Sequence, residues 1–267
     1  MDKFEKTNLS EEDKKKLRYG LHGAKLNIDF SNIYRLKDAN NGAGFYGIVY
    51  KIGDSDACVK VLADDNNLVD GVIPMDRFTA KKILIKICNL KLVNVYKIID
   101  ITFSHKWKLS SMQGYVMRYY SDNRTNMLFR GYDWYKNQYE QMLKDFTLLG
   151  ENCIQIADDH DKNYRVDENI VLIDCDNFIL VNPLKKQQAI NANISRAYGA
   201  IIMLLHDALI EYKLSKDDSF NYEVLNFNEF RNNKERFFDI LKEYGNIYNY
   251  VIHLSKGKTK IWWHYLI

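Results

Sequence analysis

Hydrophobic and polar positions change rhythm along this chain, and the change divides it. Between Ser31 and Tyr119 the apolar residues come in short β-branched and aromatic runs separated by turn residues, the signature of strands. The runs predict strands at Ile33–Leu36, Gly47–Ile52 (closed by the Gly53-Asp54 turn), Ala57–Leu62, Val95–Phe103 and Gly114–Tyr119. One helix interrupts them, from about Met75 to Cys88, with Ile83, Leu84 and Ile87 on a shared face. Together these make a five-stranded antiparallel sheet.

After Ser121 the period becomes helical. Tyr132–Leu149 reads as a long amphipathic helix with Gly150 as its C-cap and Asn193–Leu209 as a strongly apolar helix, and later helices follow near Asn228–Tyr244. A small hairpin pairs Tyr164–Val166 with Ile170–Ile173 around Asp167-Glu168-Asn169. Before all of this, Ser10 with Asp13 three residues on opens a charged helix to about Arg18. The fold class is therefore α+β: a helical extension over 1–30, a small sheet lobe over 31–119 and a larger helical lobe over 120–267. A cleft between two such lobes is a natural ligand site.

Composition narrows the partners. The chain has 267 residues, 46% of them hydrophobic, enough for a sizeable core. A net charge of +3 with both signs interleaved makes no case for nucleic acid. The basic triplet Lys14–Lys16 follows Glu11–Asp13 and reads as a solvated helix. Four dispersed cysteines (Cys58, Cys88, Cys153, Cys175) form no metal-type pair. With neither a signal-peptide pattern nor a membrane-spanning apolar run, a cytoplasmic location with reduced thiols is expected.

Five segments carry candidate chemistry. In Gly42-Ala-Gly44-Phe-Tyr-Gly47-Ile-Val49 the glycines precede a strand, whereas a dinucleotide-binding loop needs a helix there. Glycines between antiparallel strands suit a flap whose amides cover phosphates; a plain Gly-rich hairpin is the alternative. Lys60 shares a strand face with Cys58 and emerges from apolar neighbours, as a phosphate counter-charge or as a snorkelling surface lysine. Asp158 and Asn163 stand five residues apart in Asp158-Asp-His160-Asp-Lys-Asn163: a carboxylate to take a hydroxyl proton and an amide oxygen to bind magnesium, or a solvated loop. Asp174 leaves an apolar strand, where a carboxylate needs a cation or caps a turn. Tyr115-Val-Met117-Arg-Tyr119-Tyr120 is an apolar strand running into a polar stretch.

In this order the segments resemble the protein-kinase-like superfamily over about Ile33 to Leu209. The resemblance implies a bilobal protein-kinase-like fold. It makes Gly42, Gly44, Gly47 and Val49 the nucleotide flap, and Lys60 the lysine on the α- and β-phosphates. Met117 takes the gatekeeper position, and Arg118, Tyr119 and Tyr120 the hinge. Asp158 becomes the residue that orients the acceptor, and Asn163 and Asp174 the magnesium ligands. The implied activity is Mg²⁺-dependent transfer of the ATP γ-phosphoryl group to a hydroxyl, first that of protein serine or threonine. A small-molecule acceptor of the aminoglycoside- or choline-kinase type, a nucleotide-binding pseudokinase scaffold and nucleotidyl transfer are the alternatives. The chain departs from the family in three places. No acid stands near Ala80, where a helix glutamate should pair with Lys60, and Asp76 is one turn too early. Ile156-Ala157 replaces His-Arg before Asp158. The segment from Asp174 to Asn193 is short and lacks Ala-Pro-Glu, so regulation through a long activation segment is not expected.

Overall fold

The computed structural model describes residues 4–36, 43–44, 47–62, 77–105, 112–157, 159–175 and 178–263. Its architecture is α+β. An antiparallel sheet contains β1 (Phe4–Thr7), β2 (Ile33–Leu36), β3 (Ala43–Gly44), β4 (Gly47–Ile52), β5 (Ala57–Leu62), β6 (Ile98–Thr102) and β7 (Gly114–Arg118). Their order is β1-β2-β4-β5-β7-β6, with β3 also paired to β4. Two strands more than the five expected arise because Phe4–Thr7 pairs along β2 and the glycine segment pairs back onto β4. The N-terminal region thus adds an edge strand as well as helix α1 (Glu11–Lys16), whose N-cap Ser10 Oγ accepts from the Asp13 amide at 3.0 Å.

Alternation along β5 sorts the sheet into two faces. Val59 and Val61 join Leu9, Leu17, Ile33, Tyr50 and Val116 in a small outer core beneath the N-terminal segment. Cys58 and Leu62 face the other way, into the main core with Tyr115, Met117 and the apolar side of helix α2 (Arg77–Cys88): Ala80, Ile83, Leu84 and Ile87. Each such buried aliphatic side chain contributes about 1.5–3 kcal/mol.

The rest of the described chain is largely helical: α3 (Tyr132–Glu151), α4 (Lys186–Ser215), α5 (Phe227–Asn232), α6 (Lys234–Tyr244) and α7 (Ile247–Trp263). Two short antiparallel pairs lie between α3 and α4. These are β8 (Ile154–Gln155) with β11 (Ile179–Leu180), and β9 (Tyr164–Val166) with β10 (Ile170–Leu172). Among the described residues, no helix is long and apolar enough to cross a membrane.

Several boundaries differ from the sequence reading, each for a local reason. Gly150 does not cap α3; it lies buried in the last turn, and Asn152 follows as C-cap. A Cβ at Gly150 would come within 2.7 Å of Ile190 Cα, so the glycine serves the close approach of α3 and α4. Helix α4 is longer than Asn193–Leu209 because polar turns extend both ends of its apolar middle. The later helices expected near Asn228–Tyr244 are α5 and α6, divided at Asn233, whose side chain caps α6 by accepting from the Arg236 amide. β6 starts only at Ile98 because residues 93–96 bond elsewhere.

Those four residues join the sheet to the helices. Val93 and Asn94 amides donate to Asp145 Oδ2 on α3 at 2.7 and 2.6 Å. Asn94 Nδ2 donates to Gln138 Oε1 and to the Ile170 carbonyl. The Tyr96 amide donates to the Leu172 carbonyl, and the Leu172 amide to the Asn94 carbonyl. Bonds this enclosed are costly to lose, so β10 is tied firmly to the segment that leads into β6, the strand at the end of the sheet order.

Candidate functional site

Lys60 sits on β5 between Cys58 and Leu62, on the face turned to the main core, and is only 5% exposed. An ammonium group so enclosed needs an opposite charge. Its Nζ donates to Asp174 Oδ1 at 3.1 Å, across 114 positions of sequence. The carboxylate is partly exposed. Its Oδ2 has no protein partner among the described residues.

Asp174 reaches Lys60 because of how β10 ends. Leu172 is fixed by Asn94 and Tyr96, and the next amide, Ile173 N–H, donates to the Asn163 carbonyl at 2.8 Å. That bond sets Asn163 beside Asp174. Asn163 closes the short 3-10 turn Asp161–Asn163 and is 5% exposed. The structure thus brings together three of the residues singled out from sequence: Lys60, Asn163 and Asp174.

The remaining ones fall around them or outside the described residues. Val49 is the cross-strand partner of Lys60 on one side and Tyr115 on the other. Met117 pairs with Cys58, and the Tyr119 amide donates to the Asp56 carbonyl at 2.8 Å where β7 ends. Gly44 lies opposite Gly47 in the β3–β4 hairpin. Gly47 has φ +156°, and a Cβ there would meet the Val61 carbonyl oxygen at 2.2 Å, so only glycine fits. Gly42, Asp76 and Asp158 lie outside the described residues.

Helix α2, Arg-Phe-Thr-Ala-Lys-Lys-Ile-Leu-Ile-Lys-Ile-Cys, holds no acidic residue at all. Ala80 is buried in the apolar core. The described carboxylate paired with Lys60 therefore comes from the C-terminal side, as Asp174.

Described residues on both sides of Asp158, between β8 and Asn163, are held by residues that local spacing did not reveal. Asn193, fully buried on α4, accepts from the Ile156 amide at 2.8 Å and donates to the Phe146 and Ile154 carbonyls at 3.1 and 2.9 Å. Asp159 accepts from Tyr164 Oη at 2.6 Å and pairs with Arg196 of α4 at 3.2 Å. Burial, and then the nearby Asp159 charge, push the Tyr164 phenol well above its ordinary range. Asp159 is thus engaged in structure. Arg124 pairs with Asp122 at 3.1 Å, Asp207 at 3.0 Å and Asp161 at 3.8 Å, and donates to the Asp161 carbonyl at 3.1 Å. Partial burial raises the Asp207 carboxyl, Asp161 raises it further, and Arg124 opposes both.

For a metal ion, the candidate hard oxygen donors are the side chains of Asn163 and Asp174, whose backbones are joined through the Ile173 amide and the Asn163 carbonyl. Among the described residues, no group of three His, Cys, Asp or Glu side chains could hold an ion alone. Magnesium typically arrives on phosphates and takes only one or two protein oxygens; the donor set fits an ion of that kind. A cavity of about 270 Å³ between α4 and α5 is lined by Tyr198, Met203, His206, Asp207, Phe227 and Arg231. Its lining does not include Lys60, Asn163 or Asp174; one lining residue, Asp207, pairs with Arg124.

Comparison of the chain with protein-family models and with curated proteins finds no match.

Proposed function

We propose that the chain is an ATP- and Mg²⁺-dependent phosphotransferase of bilobal, protein-kinase-like build, moving the γ-phosphoryl group to a hydroxyl. The observation that carries this reading is the convergence of Lys60, Asn163 and Asp174 from β5, a 3-10 turn and the end of β10. A buried lysine next to a carboxylate and an amide is a poor way to stabilise a core, and a good way to receive a polyanion with its cation.

In this reading the β3–β4 hairpin covers the phosphates with backbone amides, and Lys60 neutralises charge on them. Asn163 and Asp174 would hold magnesium, which supplies charge neutralisation of the transferring group. Asp158, five residues before Asn163 in sequence, would orient the acceptor hydroxyl and accept its proton. Asn193, Arg196 and Arg124 hold the described neighbours Ile156, Asp159 and Asp161, which in this reading limits the reorganisation needed around the acceptor. A protein serine or threonine hydroxyl is the first acceptor to try, and a small-molecule alcohol the second.

A second reading has one observation behind it. The apolar, acid-free face of α2 around Ala80 favours a nucleotide-binding scaffold without transfer.

The test is incubation with Mg²⁺ and ATP labelled at the γ or the α position, with Lys60→Met in parallel. γ-Label on protein or a supplied alcohol, reduced on the order of 10²-fold in Lys60→Met with little change in thermal midpoint, is the expected result. α-Label transfer would mean nucleotidyl transfer, and binding without transfer the scaffold. A protein that binds no nucleotide refutes the reading.

A further inference from the structure

We propose that the cavity between α4 and α5 is a binding site for a small zwitterion with an apolar body, namely a free amino acid with an aromatic side chain. The inference is independent of the phosphotransfer reading.

Two unlike charges line this one cavity without pairing with each other. Arg231 of α5 is exposed and makes no hydrogen bond or ion pair among the described residues. Asp207 of α4 gives its Oδ2 to Arg124 at 3.0 Å, and its Oδ1 accepts nothing from the described residues. Arg124 also faces Asp122 and Asp161, so its charge is shared and Asp207 keeps part of its own. An anion entering here meets repulsion from Asp207, and a cation meets repulsion from Arg231. A molecule that carries both charges satisfies both: its carboxylate accepts from the guanidinium fork, and its ammonium donates to Oδ1. The rest of the wall is mainly apolar, with Tyr198, Ile202, Met203 and Phe227. Two rings and a thioether suit an aromatic body. At about 270 Å³ the space is smaller than most drug-sized sites, which limits the ligand to a small molecule.

Gly199 supplies a second, separate observation. It stands in the interior of α4 and lines the same cavity. A helix-interior glycine is destabilising relative to alanine, yet a Cβ built at Gly199 meets nothing within 4 Å. No neighbour requires the missing side chain. Its absence leaves open space on the cavity wall, where a ligand body can lie.

The experiment is a ligand-observed NMR titration of the full chain with L-phenylalanine. Phenethylamine and hydrocinnamate, which each keep the ring and one of the two charges, are titrated in parallel. Wild type is compared with Arg231→Gln, Asp207→Asn and Gly199→Leu. Phenylalanine should bind wild type about tenfold more tightly than either single-charge probe, and Arg231→Gln and Asp207→Asn should each weaken it by about tenfold, the loss of one charge-assisted contact. Gly199→Leu places a good helix former in the open space, so it should abolish binding with the thermal midpoint kept or raised. Arg231 is exposed and unpartnered among the described residues, so Arg231→Gln keeps the test available should Asp207→Asn fail to fold. Equal affinity for all three probes overturns the proposal. So does wild-type affinity in Arg231→Gln or Gly199→Leu, or a wild type that does not bind phenylalanine.

Discussion

Two glycines, both inside helices, should respond oppositely to the same substitution. Replacing a helix-interior glycine by alanine ordinarily stabilises by about 1 kcal/mol through backbone entropy. At Gly199 on α4, an added Cβ meets nothing within 4 Å, so Gly199→Ala should gain roughly that amount. At Gly150 on α3, the new carbon would lie 2.7 Å from Cα, N and Cγ1 of Ile190 on α4. Carbon atoms pack at about 3.5–4.0 Å, so the two helices must part by most of an ångström. Two of the three opposing atoms are backbone, which cannot rotate away. Overpacking of this kind costs about 1–3 kcal/mol, and the upper half of that range applies. Subtracting the helix gain leaves a net loss of about 1–2 kcal/mol for Gly150→Ala. For a chain of this size that is a fall in Tm of roughly 2–8 °C. Urea unfolding of the three proteins, followed by far-UV circular dichroism, measures both changes against one reference. Should Gly150→Ala equal or exceed wild type while Gly199→Ala gains as expected, α3 and α4 do not approach as described.

Three further outcomes can be checked with similar means. Asn193→Ala removes three buried hydrogen bonds and should cost on the order of 3 kcal/mol in urea unfolding; a loss under about 1 kcal/mol would mean the bonds are not made. Burial raises the Asp145 carboxyl above its ordinary 3.8, against the pull of its hydrogen bonds from Asn94, Val93 and Gln141. A group that holds its proton more tightly folded than unfolded contributes stability at low pH, which is lost as pH rises from about that ordinary value through the raised one. The stability of wild type relative to Asp145→Asn should therefore fall across that interval, and a flat difference would contradict it. Burial pushes the Cys58 thiol up to about 12, so at pH 8 iodoacetamide should leave Cys58 unmodified in the folded protein and alkylate it in urea, as read by peptide mass spectrometry.

What the sequence reveals, and what it conceals, follows the range of the interactions. β4, β5 and the β9–β10 hairpin are legible because their apolar alternation and turn residues are local, and Lys60 stands out as a charge inside such a run. α3 is legible for the same reason. Phe4–Thr7 is too short and too polar to announce a strand; only its pairing with β2 makes it one. The ends of α4 are polar turns that an apolar criterion passes over. Gly150 has the composition of a cap, and its real duty depends on Ile190, which no nearby residue indicates. Asn193 did leave a trace, as a lone amide in the apolar series Ala189, Ala197, Ala200 and Ile201 on the buried side of α4. A buried polar residue of that kind asks for partners, but its partners lie 37 to 47 positions away. The Lys60–Asp174 pair is further still, and local spacing could supply only the candidates.

Asn193, Arg196 and Asp207 all reach the same loop region from one helix, and their numbering has a geometric meaning. An α-helix turns about 100° per residue, so steps of three and fourteen return Arg196 and Asp207 to within about 60° of Asn193. The helix acts as a ruler whose marks agree only at this spacing. Deleting a single residue between Arg196 and Asp207 would leave the first two marks in place and turn Asp207 by about 100°, out of line with Arg124. A change of length beyond Asp207 leaves these three marks in register; between them the helix is counted to the residue.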